Sequence, residues 1–227
     1  MKASLLLLGL DRPRRAFTFA LLVLGSVVAC ALLFPPLKAA CGCVFLFGMI
    51  AGCCVDFDQM VLPDMFTVGL AVGGVALSLA VPALHGLGAP GLFNGLRSAA
   101  AALLGAALGS ALGLWIGILG ELALDREVLG FGDVKFLGAI GAFCGWRGAT
   151  FALFGGAAVA AVVLLLGAVF GRPRSAAVVE RPAGAEDENG WSRPFPFGPM
   201  LAIAAALYFF ALHPWVDAYL SQYVIFF

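Results

Sequence analysis

Long apolar runs separated by short polar clusters set the pattern of this chain, and most are about as long as a membrane-crossing helix, which needs ~20 mostly apolar residues. Seven segments fit, some of them short: 16–34, 39–55, 65–84, 98–120, 136–148, 149–171 and 197–213. They predict an all-α, polytopic helical membrane protein with about seven transmembrane segments. Residues 1–10 are apolar but too few to cross, and Asp11-Arg12-Pro13-Arg14-Arg15 follows them. A signal peptide has the opposite order, charge first and a small-residue cleavage site afterwards. Residues 1–15 are therefore read as an interfacial N-terminal segment. A membrane-embedded domain follows over 16–213, interrupted at 172–196 by a mobile hydrophilic loop that includes Glu186-Asp187-Glu188-Asn189-Gly190. Residues 214–227 are read as a C-terminal tail. Within 98–120, Gly105, Gly109, Gly113 and Gly117 recur every fourth residue, a spacing that lets helices approach closely.

Of the 227 residues, 63% are hydrophobic and 11% charged, and the mean hydropathy is +1.05. A soluble domain keeps roughly a quarter of its residues charged, so lipid is the main solvent here. The formal net charge is zero, and with no basic patch to neutralise phosphates, nucleic acid is not an expected partner. The placement of the charges says more than their sum. Lys2, Arg12, Arg14 and Arg15 precede the first segment and put the N-terminus in the cytoplasm. Seven crossings then place Arg126, Lys135, Arg172, Arg174, Arg181 and Arg193 inside as well, leaving Lys38, Arg97 and Arg147 outside. Were 136–148 not to cross, every later segment would invert, so the charge asymmetry favours crossing. The cysteines Cys30, Cys41, Cys43, Cys53, Cys54 and Cys144 form no Cys-x-x-Cys pair. That gives a thiolate zinc site little support, and they are read as small packing residues. His85 and His213 stand alone near predicted helix ends. No metal or cofactor is expected.

Two acidic motifs stand out against this background: Asp56-Phe57-Asp58-Gln59-Met60-Val61-Leu62-Pro63-Asp64 and Gly130-Phe131-Gly132-Asp133-Val134-Lys135. The topology puts both on the cytoplasmic side. Carboxylates at membrane interfaces commonly cap helices or solvate loops. Asp64 suits the N-cap of a helix beginning near Met65, and Asp125 and Glu127 suit a solvated loop. Asp133 fits that reading poorly. It follows Gly-x-Gly, where two residues without Cβ let the backbone bend and another chain come close, and it opens the apolar run Val134–Phe143. A helix N-terminus favours its ionised form, and apolar packing favours its neutral form. Asp56 closes the second segment directly after Val55 and stands at the same kind of boundary. Two such groups within ~3–5 Å would share one proton. One could then activate water while its protonated partner polarised a carbonyl. No Ser–His or Cys–His arrangement competes.

These residues resemble the prepilin peptidases, membrane aspartyl proteases of the Gly-x-Gly-Asp type. That family pairs an Asp-x-x-x-x-x-x-Pro-[Asp/Asn] segment with Gly-x-Gly-Asp-[Val/Phe]-Lys. Here Asp56 stands seven residues before Pro63, with Asp64 next, and Gly130 to Lys135 match the second pattern. The sequence continues in the family's manner through Phe136–Ala142 to Gly145-Trp146, and Pro196-Phe197-Gly198-Pro199 is similar to the stretch before the family's last helix. The resemblance covers about residues 40–212. It implies that Asp56 and Asp133 are the catalytic pair, supported by Gly130, Gly132, Lys135, Asp58, Pro63 and Asp64. Asp58 is the rival to Asp56, since the choice rests on the distance to Pro63. The implied activity is removal of the short basic leader of type IV prepilins or type II secretion pseudopilins. Cleavage is expected after a glycine, at the cytoplasmic face of the bacterial inner membrane. The implied partners are the leader peptide, the substrate's own transmembrane helix and membrane lipids. Bifunctional members also methylate the new N-terminus and carry a domain with two Cys-x-x-Cys pairs. This sequence contains no such pair, so neither zinc nor N-methyltransferase activity is expected.

Two other classes compete with this reading. A small carboxylate-dependent transporter needs ionisable residues near the middle of its spans, and these spans hold almost none. A non-catalytic pilus or secretion assembly protein would not need both aspartates.

Overall fold

The computed structural model describes residues 13–59, 62–88, 91–125, 128–170 and 196–221, and every regular element among them is helical. Residues 1–12 of the expected interfacial segment and nearly all of the expected loop at 172–196 lie outside the described residues. Helix α1 (Pro13–Leu33) packs chiefly on α2 (Pro36–Gln59) and otherwise faces outward. Then come α3 (Val68–Ala80), a 3-10 turn at Pro82–His85, α4 (Leu92–Leu124) and α5 (Phe131–Val169). Helix α6 (Gly198–Leu207) passes through a π segment, Tyr208–Leu212, into α7 (His213–Ser221).

Among the described residues, five stretches are long and apolar enough to cross a membrane: Arg15–Leu33, Pro36–Phe57, Leu92–Leu124, Phe131–Gly167 and Gly198–Tyr219. Helix α3 is apolar but shorter. The segments 136–148 and 149–171 both fall within α5, which is not a straight rod. At Gly145 the backbone takes φ 68° and ψ 178°, a conformation open essentially to glycine alone. A methyl group at Gly109 would meet both the Leu137 carbonyl oxygen, at 2.7 Å, and the Ala149 Cβ, at 2.9 Å. Those two groups thus lie within ~6 Å of each other, where a continuous helix would hold them ~18 Å apart. The chain doubles back at Gly145.

Glycines make the tight contacts. Gly105 lies against Gly141 and Gly145, and Gly113 against Leu137 and Val134, so the four-residue glycine stripe of α4 faces the first half of α5. Lipid tails are as apolar as leucine, so helices here associate through close van der Waals contact rather than by escaping water. Around α2, Phe45 stacks on Phe143 and tilts against Phe209, and Phe136, Phe143, Leu137, Ile140 and Leu201 are fully buried. Phe45 meets Phe143 while Gly52 meets Phe136, so the first half of α5 runs antiparallel to α2. Phe209 lies beside Gly42 and Gly198 beside Asp56, which makes α6 antiparallel to α2 as well. The C-terminal end of α2 and the N-terminal ends of α5 and α6 therefore arrive at one end of the bundle.

His85 braces the reversal. Its ring bonds to the backbone of Ala142, a position in the turn before the break, where helix carbonyls lose their usual partners. Its Nε2 lies 3.1 Å from Ser78 Oγ. Burial pushes the imidazole pKa down to about 4, opposed by the bond to Ala142 and assisted by the charge of Lys38. The folded protein keeps His85 neutral where the unfolded chain, titrating near 6.5, takes up a proton. Stability from this group is complete above the unfolded value and declines as pH falls towards the folded one. Thermal unfolding in detergent should accordingly show a midpoint that drops between about pH 6.5 and pH 4, and His85→Gln should flatten that slope. Equal slopes in the two proteins would exclude His85 as the cause.

Candidate active site

Asp56 sits in the last turn of α2, with its side chain 7% exposed. It is one of few buried polar residues among those described. Asp133 occupies the first turn of α5, behind an extended Gly130 at the N-cap position, and its amide donates to the Gly130 carbonyl at 3.0 Å. The two carboxyl groups lie within electrostatic reach of one another. Cys53, one helical turn before Asp56, is within reach of both. The two acidic motifs thus reach the same end of the bundle.

A third element joins them. The amide of Gly198, first residue of α6, approaches the Asp56 carboxylate, while Oδ2 has no hydrogen-bond partner among the described residues. A Cβ at Gly198 would stand 2.7 Å from that oxygen. Asp133 and Asp56 are each served by a helix N-terminus, α5 for one and α6 for the other. Such ends carry partial positive charge and free amides, which favour a nearby anion.

The turn after α2 closes over this junction. Leu62 is buried, with Cβ 3.2 Å from a Cβ position on Gly132, Cδ1 3.6 Å from one on Gly198, and Cδ2 3.6 Å from one on Gly52. One leucine therefore touches all three helices that carry the site. Pro63 shapes the turn, its carbonyl accepting from the Phe66 amide at 2.9 Å. Asp64 is not the helix cap its position predicts. Helix α3 begins at Val68 with Thr67 at the cap position, and the Asp64 carboxylate instead takes the Lys135 ammonium at 2.6 Å. A full charge from across the junction outcompetes neutral amides. Lys135 also lies over the Phe131 ring, 5.0 Å from its centroid.

Glu121 and Asp125 are exposed at the end of α4, with Asp125 in the left-handed region at φ 52°. The side chain of Asp58 and all of Glu127 lie outside the described residues. Among the described residues, no group of three or more His, Cys, Asp or Glu side chains is placed to hold a metal ion. Sequence reasoning noted Gly198 without giving it a role, read Cys53 as a packing residue only, and passed over Leu62 and Gly52. Gly52 and Cys53 stand four and three positions before Asp56, helical spacings that share its face, and this was the available signal.

The magnitudes separate what holds the turn. An exposed ion pair contributes ~0–1 kcal/mol, and Asp64 is 69% exposed. Truncating a buried leucine costs ~2–5 kcal/mol. Lys135→Met should therefore lower stability by no more than ~1 kcal/mol, and Leu62→Ala by at least ~2 kcal/mol, as read by denaturant titration in micelles. A larger loss from Lys135→Met would reverse that ranking.

A family model described as the type IV leader peptidase family matches residues 43–166, more than half of the chain. A prepilin leader peptidase/N-methyltransferase from Dichelobacter nodosus is 29% identical over 184 residues, covering 81% of this chain and 53% of that protein. The chain spans about half the length of this curated relative. No solved structure matches it.

Proposed function

The chain belongs to the type IV leader peptidase family, and from that premise we propose that it is an aspartic endopeptidase that removes the leader of a prepilin or pseudopilin. The observation that carries this reading is that Asp56 and Asp133 come within electrostatic reach of one another at one end of an apolar helical bundle. Two carboxyls so placed share one proton. The ionised member takes a proton from water, whose oxygen attacks the scissile carbonyl. The protonated member donates to the carbonyl oxygen and, as the tetrahedral species collapses, a proton passes to the leaving amine.

The remaining terms of the proposal follow from charge and topology. Asp64, Glu121 and Asp125 are exposed, and they supply negative charge that attracts a Lys/Arg-rich leader. The substrate's apolar helix lies in the bilayer beside the bundle, which brings the leader junction, with cleavage after a glycine, to the dyad. Seven crossings, counting the two halves of α5 separately and including α3, put the N-terminus and the dyad on the cytoplasmic side of the bacterial inner membrane. Only the peptidase reaction is assigned, because the dyad is the chemistry the described bundle supplies.

Purified protein in detergent should shorten a prepilin by its leader, as read by gel shift and mass spectrometry. Asp56→Asn and Asp133→Asn should each lower the rate by at least ~10³-fold with the protein still folded, the scale expected when general acid–base catalysis is lost. Asp58→Asn should keep most activity. Loss in Asp58→Asn with survival in Asp56→Asn would reassign the partner, and cleavage surviving in Asp133→Asn would refute the dyad. The kcat/KM profile should be bell-shaped in pH, because neither the doubly protonated nor the doubly ionised pair can turn over. A flat profile would contradict proton sharing.

A further inference from the structure

We infer that Gly198 is the positioning residue of the dyad: its bare Cα and free amide at the start of α6 seat the Asp56 carboxylate so that it faces Asp133. This rests on the peptidase reading for its catalytic consequence, though the seat itself is a matter of packing.

The first turn of α6 offers few amides. Pro199 has none. The Met200 and Leu201 amides both donate to the Phe197 carbonyl, at 3.0 and 3.2 Å. Gly198 is left with its N–H within reach of Asp56. The other groups within reach of Asp56 are Cys53 from its own helix and Asp133 from α5, and the apolar Leu62 borders Gly198. Lys135, the nearest cation of the motif, is engaged by Asp64. Among the described residues, Gly198 alone brings a backbone amide to this carboxylate.

A Cβ at Gly198 would lie 2.7 Å from Asp56 Oδ2 and 3.3 Å from its Cγ, closer than a methyl group and an oxygen can sit. Helix α6 cannot retreat to make room. Leu201 and Ala204, both buried, are backed by Gly156 and Gly155 of α5, with contacts of 3.1 and 3.2 Å to the positions a Cβ would take there. The backbone at Gly198 is helical, so an alanine would be unstrained in itself. The carboxylate is what must move.

The test compares Gly198→Ala with Gly42→Ala, whose Cβ would stand 2.8 Å from Phe209 Cε1 beyond the far end of α6, near the opposite end of α2 from Asp56. With a prepilin as substrate, Gly198→Ala should lower kcat by ~100-fold, the cost of a misplaced reacting group. KM should stay within about twofold, since uniform binding is untouched. Gly42→Ala should also lose thermal stability yet keep kcat within about threefold. Unchanged kcat in Gly198→Ala, or loss in both variants in step with destabilisation, would overturn the assignment.

A stability cycle covers the case in which Gly198→Ala accumulates poorly. Removing the clashing partner in Asp56→Ala/Gly198→Ala should recover the unfolding midpoint, or the yield, that Gly198→Ala loses. Additive losses would overturn the seat. This cycle needs no activity, so a wild-type protein that failed to cut prepilins would sink the peptidase reading and leave the seat to be judged separately.

Discussion

Two carboxyl groups within electrostatic reach of one another and partly withdrawn from water are costly to ionise together, and the helix directions of this fold bear on that cost. Water would ordinarily solvate each anion. Here the substitutes are oriented backbone groups. Asp133 stands in the first turn of α5 and Asp56 faces the first amide of α6, so two helix N-termini converge where negative charge must be borne. Because α5 and α6 both run antiparallel to α2, the same topology that packs the bundle delivers those ends to the end of α2. The electrostatics of the site thus follow from helix direction before any particular side chain is considered.

Bringing three helix ends so close requires that side chains be absent. Gly52, Gly132 and Gly198 come from three different helices and all border Leu62, so one apolar side chain occupies the space that three missing ones leave. Farther along the bundle the same device recurs in α4, where glycines meet the backbone of α5. In a soluble protein, glycine-lined contacts would forfeit much of the gain from burying apolar area. In a lipid-solvated one that gain is small, and the closeness of backbones is itself the source of cohesion.

Much of this was legible in the sequence, for definite reasons. Apolar runs long enough to cross a membrane announce helices because lipid leaves the backbone no other partner, and α1, α2, α4 and α6 lie where those runs predict. That Asp56 and Asp133 reach the same end of the bundle was legible because Gly130 and Gly132 flag a close approach and because both acids border apolar runs. The reversal at Gly145 was legible only as a boundary between two apolar segments, since the residues around it are as apolar as the rest and only φ and ψ reveal the turn. Asp64 was misread as a cap because local sequence shows the nearby amides but not Lys135, which arrives from another helix. Leu62 was invisible for a related reason. A lone leucine in a short turn acquires meaning only from what surrounds it.

The break at Gly145 turns one long apolar stretch into two arms of the same site. The first arm carries Asp133 and packs Phe136, Leu137 and Phe143 into the core around α2 and α4. The second returns along α6 and sets Gly155 and Gly156 against Ala204 and Leu201, three and six residues past Gly198. A straight α5 could do one of these things but not both. Continued past Gly145, it would carry the second arm beyond the bundle, leaving α6 without the surface that fixes its N-terminus at Asp56. The left-handed glycine and the brace at His85 are therefore part of what sets the distance between two acids at the other end of α5's first arm. A residue with a side chain at position 145 would strain the one conformation that lets a single helix supply an acid and also support the group that faces its partner.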